Sequence, residues 1–278
     1  MKTKIVFFIY LLVFSYCSNS DNLSSAQSEC INSLSMFNTE KTEPITSFYV
    51  VGHGYGNHDG NNLGLSNKII NHFKDFDYKP NIIFTGDVIR ESNKENLELL
   101  LSQLNLYFNE YYIAPGNHEI VNAEEYYKIF KKDLNYLSYG LVDFYIINTT
   151  TDNWKPTPND QFKINERLNK SSSQIDIFFN HQIFWENIVK KEIRPNGYNF
   201  LKVELTENHL DWMDRIPGKP TIFISGDFGR GEESLFCEYI DSQNILFIGN
   251  GIYDQDSDKI IKIKVYKNGF DMEIINLN

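Results

Sequence analysis

From residue 46 onward, short apolar runs alternate with stripes of helical spacing. Phe48-Tyr49-Val50-Val51 reads as a buried strand, and Leu65, Ile69, Ile70 and Phe73 fall on one helical face. Asn81-Ile82-Ile83-Phe84 is a second strand; Leu97, Leu100, Leu101 and Leu104 form a second helical stripe; Tyr111-Tyr112-Ile113-Ala114 is a third strand. This β-α-β-α-β order predicts parallel strands joined by helical crossovers. The second half is richer in strands, expected at 139–148, 174–180, 220–225, 234–240, 245–249, 260–266 and 270–276. Lys267-Asn268-Gly269 marks a hairpin between the last two. The sum is an α/β fold, two mixed sheets packed face to face with helices outside, a four-layer α/β/β/α sandwich over residues 46–278.

The pattern upstream is different. Lys2 and Lys4 precede a nearly unbroken apolar run from Ile5 to Phe14, and a polar stretch follows from Ser18. The run is short for a bilayer span and has the make-up of an export signal over residues 1–17. Cys17 sits where a lipoprotein signal carries its lipidated cysteine, although Tyr16 is larger than the residue usual before it. Lipid anchoring at Cys17 and simple cleavage both remain open. Residues 18–45 are rich in Ser, Asn and Glu without sustained period and read as a tether or loose tail.

Of 278 residues, 41% are hydrophobic and 15% aromatic, enough to build a core and to exclude wholesale disorder. The formal net charge of −11 argues against nucleic acid as a general partner. A small phosphorylated substrate stays compatible, because a bound metal reverses the local field. Besides Cys17 the chain has Cys30 and Cys237, and an exported chain with two further cysteines invites a disulfide between them.

Polar clusters follow the predicted strands, where open α/β sheets bind ligands. They are Gly52-His53-Gly54-Tyr55-Gly56, Gly86-Asp87, Gly116-Asn117-His118-Glu119, Asn180-His181 and Gly226-Asp227-Phe228-Gly229. Singly, Gly-Asp reads as a turn or helix cap and a lone His as a satisfied core residue. Together they supply nitrogen and oxygen donors suited to a divalent metal, each after a strand. His58 and Asp59 lie on the Gly-rich loop after His53, either as a solvated turn or as further donors. Trp154, in a Pro-containing loop, and Phe184-Trp185, just after His181, either line a groove or anchor the core; Trp212, on the amphipathic segment Thr206–Ile216, reads as core.

The order Gly86-Asp87, Gly116-Asn117-His118-Glu119, His181, Gly226-Asp227 resembles the calcineurin-like metallophosphoesterase superfamily over residues 46–250. The resemblance implies two mixed sheets between helices and hydrolysis of phosphate esters by two metal ions about 3.5–4 Å apart. It gives Asp87 the part of the carboxylate bridging both metals. It makes Asn117 and His181 ligands of the second metal, and makes His118 the group that stabilises the phosphoryl group or protonates the leaving oxygen. Glu119 would orient the loop rather than bind metal.

Two motifs depart from the family. Its first, Asp-x-His-Gly, reads His53-Gly54-Tyr55-Gly56, and its last, Gly-His-x-His, reads Gly226-Asp227-Phe228-Gly229. The second metal would keep Asp87, Asn117, His181 and Asp227, a shell for Mn²⁺, Fe²⁺ or Zn²⁺. The first would keep Asp87 and His53, with Tyr55 as a weaker donor, and lose one at Gly229; it is expected to be weak, empty, or filled by Fe³⁺. One cation is therefore expected, with a second left open. The expected function is metal-dependent phosphoester hydrolysis outside the cytoplasm, with Asp87 and His118 catalytic. The alternatives are an inactive relative that binds a ligand or partner, and a purely structural envelope protein.

Overall fold

The computed structural model describes residues 43–130, 134–196, 209–230 and 233–277. The expected export signal, Cys17, Cys30 and nearly all of the tether lie outside them. The first sheet has the order β11-β10-β1-β2-β3. Its strands are β1 (Thr46–Val51), β2 (Asn81–Phe84), β3 (Tyr111–Ile113), β10 (Lys259–Tyr266) and β11 (Gly269–Asn276). Strands β1, β2 and β3 are parallel, joined by helices α1 (Asn67–Phe73) and α2 (Lys94–Tyr107); β10 and β11 are antiparallel to their neighbours. Two short helices follow β3: α3 (Asn117–Ile120) and α4 (Ala123–Ile129).

The second sheet has the order β4-β5-β6-β7-β9-β8, with β4 (Leu134–Tyr139), β5 (Val142–Ile147), β6 (Ile175–Asn180), β7 (Thr221–Ser225), β8 (Leu235–Ile240) and β9 (Ile245–Asn250). Its four central strands are parallel and its two edge strands antiparallel. Helix α5 (Pro158–Lys170) packs outside it, begun by Thr157, whose hydroxyl accepts from the Asp160 amide, and by Pro158 at the first helical position.

Period-two alternation explains the layers. Phe48 and Val50 of β1 enter the central core with Phe144, Ile146, Ile177, Phe179, Ile222 and Ile224 from the other sheet. Tyr49 and Val51 point outward, against Ile69 and Phe73 of α1 and Leu97, Leu100 and Leu104 of α2. On the far face of the second sheet, Tyr145, Phe178, Phe223 and Phe247 sit in register on four adjacent strands. Their rings stack at 4.5, 5.0 and 5.5 Å. Each such pair adds about 0.5–1.5 kcal/mol beyond area burial. The central strands β2, β5, β6, β7 and β9 are covered on both faces, which is why they read as unbroken apolar runs, whereas β10 alternates.

The expected four-layer α/β/β/α sandwich is the architecture found. One local expectation changes, one element is added, and one open alternative closes. The apolar run at 139–148 is the second arm of a hairpin turning at Gly140-Leu141, and its first arm, Leu134–Tyr139, carries enough polar residues to hide it. Helix α5 was hidden by its low apolar content, with only Ile164 and Leu168 as buried apolar contacts. Trp154, Phe184 and Trp185 belong to the core outside the second sheet, as does Trp212. Cys237 is disulfide-bonded. Among the described residues no helix is long and apolar enough to cross a membrane.

Candidate functional site

Each polar cluster stands at the carboxyl end of a parallel strand: His53 after β1, Asp87 after β2, Asn117 and His118 after β3, His181 after β6, Asp227 after β7. The two sheets bring these ends to one edge. Asp87, His53, Tyr55, Asn117, His118 and Asp227 all line one cavity of about 440 Å³, which His58, Asp59, Asn196, Arg230 and Tyr253 complete.

Asp87 is the centre. Its backbone has φ of 50°, a left-handed conformation uncommon outside glycine, although aspartate adopts it more readily than most residues. Glu119 braces it. The buried Glu119 carboxylate accepts from four main-chain amides: Asp87 and Gly116 at Oε2 (2.8 and 2.6 Å), Val88 and Ile89 at Oε1 (2.8 and 3.1 Å). It orients the loop, as the resemblance implies. Burial and Asp87 push its pKa up to about 7, against the pull of the amides. Gly86 precedes with φ of 87°, and a Cβ there would stand 2.4 Å from Nδ1 of His181, so only glycine lets this loop meet the imidazole.

The three histidines share one arrangement. His181 Nδ1 is 3.0 Å from the Thr85 carbonyl, His53 Nδ1 is 3.2 Å from that of Ile252, and His118 Nδ1 is 2.7 Å from that of Arg90. A carbonyl only accepts, so each Nδ1 carries the hydrogen. Each Nε2 then faces Asp87 Oδ2, at 3.3 Å for His181, 3.7 Å for His53 and 4.0 Å for His118. Backbone carbonyls that fix the far ring nitrogen are how metal-ligating histidines are usually oriented.

The electrostatics differ around the ring. Burial lowers His181, but Asp87 more than compensates and raises its pKa to about 10. Burial also acts on Asp87, and is overcome by His181, His118 and His53, which hold the carboxyl well below the usual range. His53 goes the other way: burial takes it down to about 4, so it is a neutral imidazole at neutral pH. Asp227 is raised to about 7, chiefly by burial, and its Oδ2 is buried without a hydrogen-bond partner among the described residues. Tyr55 is a phenol with its pKa pushed further up by burial, its hydroxyl 3.4 Å from His118 Nε2.

The residues that could hold a cation are Asp87, Asn117 and His181. His181 Nε2 is 3.1 Å from Asn117 Oδ1 and 3.3 Å from Asp87 Oδ2. Donors sharing an ion at bonds of about 2.0–2.2 Å stand roughly 2.8–3.6 Å apart, from octahedral to tetrahedral angles, so these two spacings fit. Asp227 lines the same cavity with an oxygen to spare. The fit rests on the amide, since among the described residues no three His, Cys, Asp or Glu side chains are arranged to hold a metal ion. A second cation is poorly provided for. At Gly229, φ is 108° and a Cβ would meet the Gly251 carbonyl oxygen at 2.6 Å, so the turn has no room for the donor that the resemblance puts there.

Three cavity residues had no motif to signal them: Asn196, Arg230 and Tyr253. They arrive through the loops after Trp185, β7 and β9, and only the tertiary fold brings them together. His58 and Asp59 do reach the cavity.

No protein-family model matches this chain, and no curated protein does. Solved structures give distant likenesses. A Vps29 variant from Entamoeba histolytica has 9% identity and a TM-score of 0.38, covering 84% of this chain and all of that one. Vacuolar Protein Sorting 29 from Cryptosporidium parvum has 10% identity and a TM-score of 0.35, covering 83% and 96%. A 5'-nucleotidase precursor from Thermus thermophilus has 12% identity and a TM-score of 0.43, covering 84% of this chain but 54% of that one, so the match spans about half its length. The chemistry of the cluster rests on its own residues.

Proposed function

We propose that the protein hydrolyses a small phosphate ester with the help of one divalent cation held at Asp87, Asn117 and His181, with Asp227 beside them. The observation that carries this reading is the convergence of three histidine Nε2 atoms on Asp87 Oδ2, each with Nδ1 committed to a backbone carbonyl. A core packing role needs no such shared aim. The motif order of the calcineurin-like metallophosphoesterases supports the same reading.

A divalent cation bound there supplies Lewis-acid polarisation of a phosphoryl oxygen and a bound water that ionises near neutral pH. The chain's own residues supply the rest. His118 has the most exposed side chain of the three histidines, 22% against 4% and 0%, and so meets incoming substrate. Its Nε2 holds or returns a proton at the leaving oxygen, with the ring pinned by Arg90 and flanked by Tyr55. His181 is fully buried and Asn117 half-buried on the cavity wall, and Glu119 braces the Asp87 loop, so little reorganisation is left for the reaction. Neutral His53 fills the place of an anionic ligand, in keeping with one cation rather than two. Action outside the cytoplasm is part of the same proposal and rests on the apolar run Ile5 to Phe14.

The test is turnover of an activated aryl phosphate by purified protein, with Mn²⁺ and after chelation, beside metal analysis. Chelator-sensitive turnover, lost in Asp87→Asn, is expected. Absence of both metal and turnover would leave a ligand-binding relative as the reading, and the missing donor at Gly229 favours that alternative.

A further inference from the structure

The cavity holds one permanently cationic residue among those that line it. Arg230 stands at its mouth, exposed, on the turn that leaves β7. Asn196, from a different loop, clips that turn with its side-chain amide and its backbone N–H. Its Oδ1 accepts from the Arg230 amide at 2.8 Å, its Nδ2 donates to the Phe228 carbonyl at 3.0 Å, and its own amide donates to the Asp227 carbonyl at 3.0 Å. One buried amide thus fixes the segment that sends Asp227 into the depth of the cavity and Arg230 to its rim.

We infer that Arg230, positioned by Asn196, is the anion-recognising residue of this site, and that the site takes small phosphomonoesters. This deepens the proposed phosphoesterase reading and rests on it for the reaction, though not for the binding. Three observations carry it. The remaining charged lining residues that are fixed in sign are carboxylates, Asp59 and Asp87, in a chain of net charge −11. A phosphate entering such a cavity needs a cationic partner on the protein, and Arg230 is the one the lining offers. A guanidinium presents a planar fork that grips two oxygens of one phosphoryl group. A monoester dianion has three non-bridging oxygens, enough for that fork and for the inner donors together; a diester has two and a second alkyl or aryl arm to seat. The volume, about 440 Å³, suits a small molecule rather than a polymer.

The experiment is binding of inorganic phosphate to the full chain by calorimetry, with and without Mn²⁺, for the wild type, Arg230→Gln and Arg230→Lys. Metal content and thermal stability of each are measured alongside. The Gln variant is expected to lose about 10–100-fold in phosphate affinity, the range for one hydrogen-bonded charge, with metal content unchanged. Lys is expected to restore part of the loss. Asn196→Ala should weaken phosphate binding in the same direction, through the turn. Equal phosphate affinity in wild type and Arg230→Gln would overturn the inference, as would absence of phosphate binding in the wild type. Phosphate binding that depends on Arg230 in a chain without metal or turnover would uphold it while sinking the hydrolytic reading. A folded Arg230→Gln variant that hydrolyses monoesters with unchanged KM would do the reverse.

Discussion

His181 and Asp87 face each other across the junction of the two sheets, Nε2 to Oδ2 at 3.3 Å, from the ends of β6 and β2. Neither position is near the other in sequence. Their meeting depends on both sheets presenting the carboxyl ends of parallel strands to the same edge. Asn117 completes the triangle at 3.1 Å from the same nitrogen. Everything proposed for the site follows from that triangle and from the groups that hold it still.

Glu119 is the strongest of those groups, and its removal should be costly. In Glu119→Gln an NH₂ group must face two amide donors that now find a carboxylate oxygen. Above pH 7, where Glu119 is ionised, hydrogen bonds to a charged group contribute about 1.5–3 kcal/mol each, so a stability loss of about 2–4 kcal/mol is expected there. Urea unfolding of the variant measures it, and a loss below about 0.5 kcal/mol would show that the loop holds its form unaided.

Gly86→Ala addresses the backbone rather than a side chain. The added methyl would stand 2.4 Å from His181 Nδ1 at a φ of 87°. The variant is expected to lose about 1–3 kcal/mol of stability, in the range of local strain, and to lose metal as His181 is pushed aside. Thermal unfolding and metal analysis check it; a variant with wild-type values of both would mean that the loop yields freely.

The aromatic ladder of the second sheet packs on the strands that carry His181 and Asp227. Phe223 stacks on both Phe178 and Phe247 and is fully buried. Phe223→Ala should cost about 3–5 kcal/mol. Phe223→Leu should cost distinctly less, and equal costs for the two would deny the cavity argument.

Much of this was legible from the chain alone. Buried strands covered on both faces read as apolar runs, which is why β1, β2, β6 and β7 stood out. The glycines beside Asp87, His53 and Asp227 marked where backbone had to turn sharply. Hairpin arm β4 and helix α5 did not stand out, because edge and surface elements carry polar residues whose periodicity is weak. Arg230 and Asn196 were invisible for another reason. Each joins the site through a single loop, and they are related by hydrogen bonds from one asparagine side chain to a distant main chain, which no local pattern signals.

One prediction concerns pH and lies away from the site. Burial raises the Asp143 pKa, but hydrogen bonds from the Ser171 and Ser138 hydroxyls help to offset it, so the folded pKa lies below the ordinary one. The unfolded chain then binds the proton more readily. The stabilisation is complete above an unfolded pKa of about 3.9 and is lost as pH falls through the lowered folded value. The stability gap between wild type and Asp143→Asn should therefore be constant from pH 7 to about 5 and close under more acid conditions. Equilibrium unfolding across that range tests it; a gap that widened in acid would reverse the sign.

The central claim is most directly tested by anomalous diffraction from crystals soaked in Mn²⁺. The account predicts one strong peak at about 2.0–2.3 Å from Asp87 Oδ2, Asn117 Oδ1 and His181 Nε2. A fully soaked crystal with no peak among these three atoms, or with its ion bound elsewhere, would contradict it.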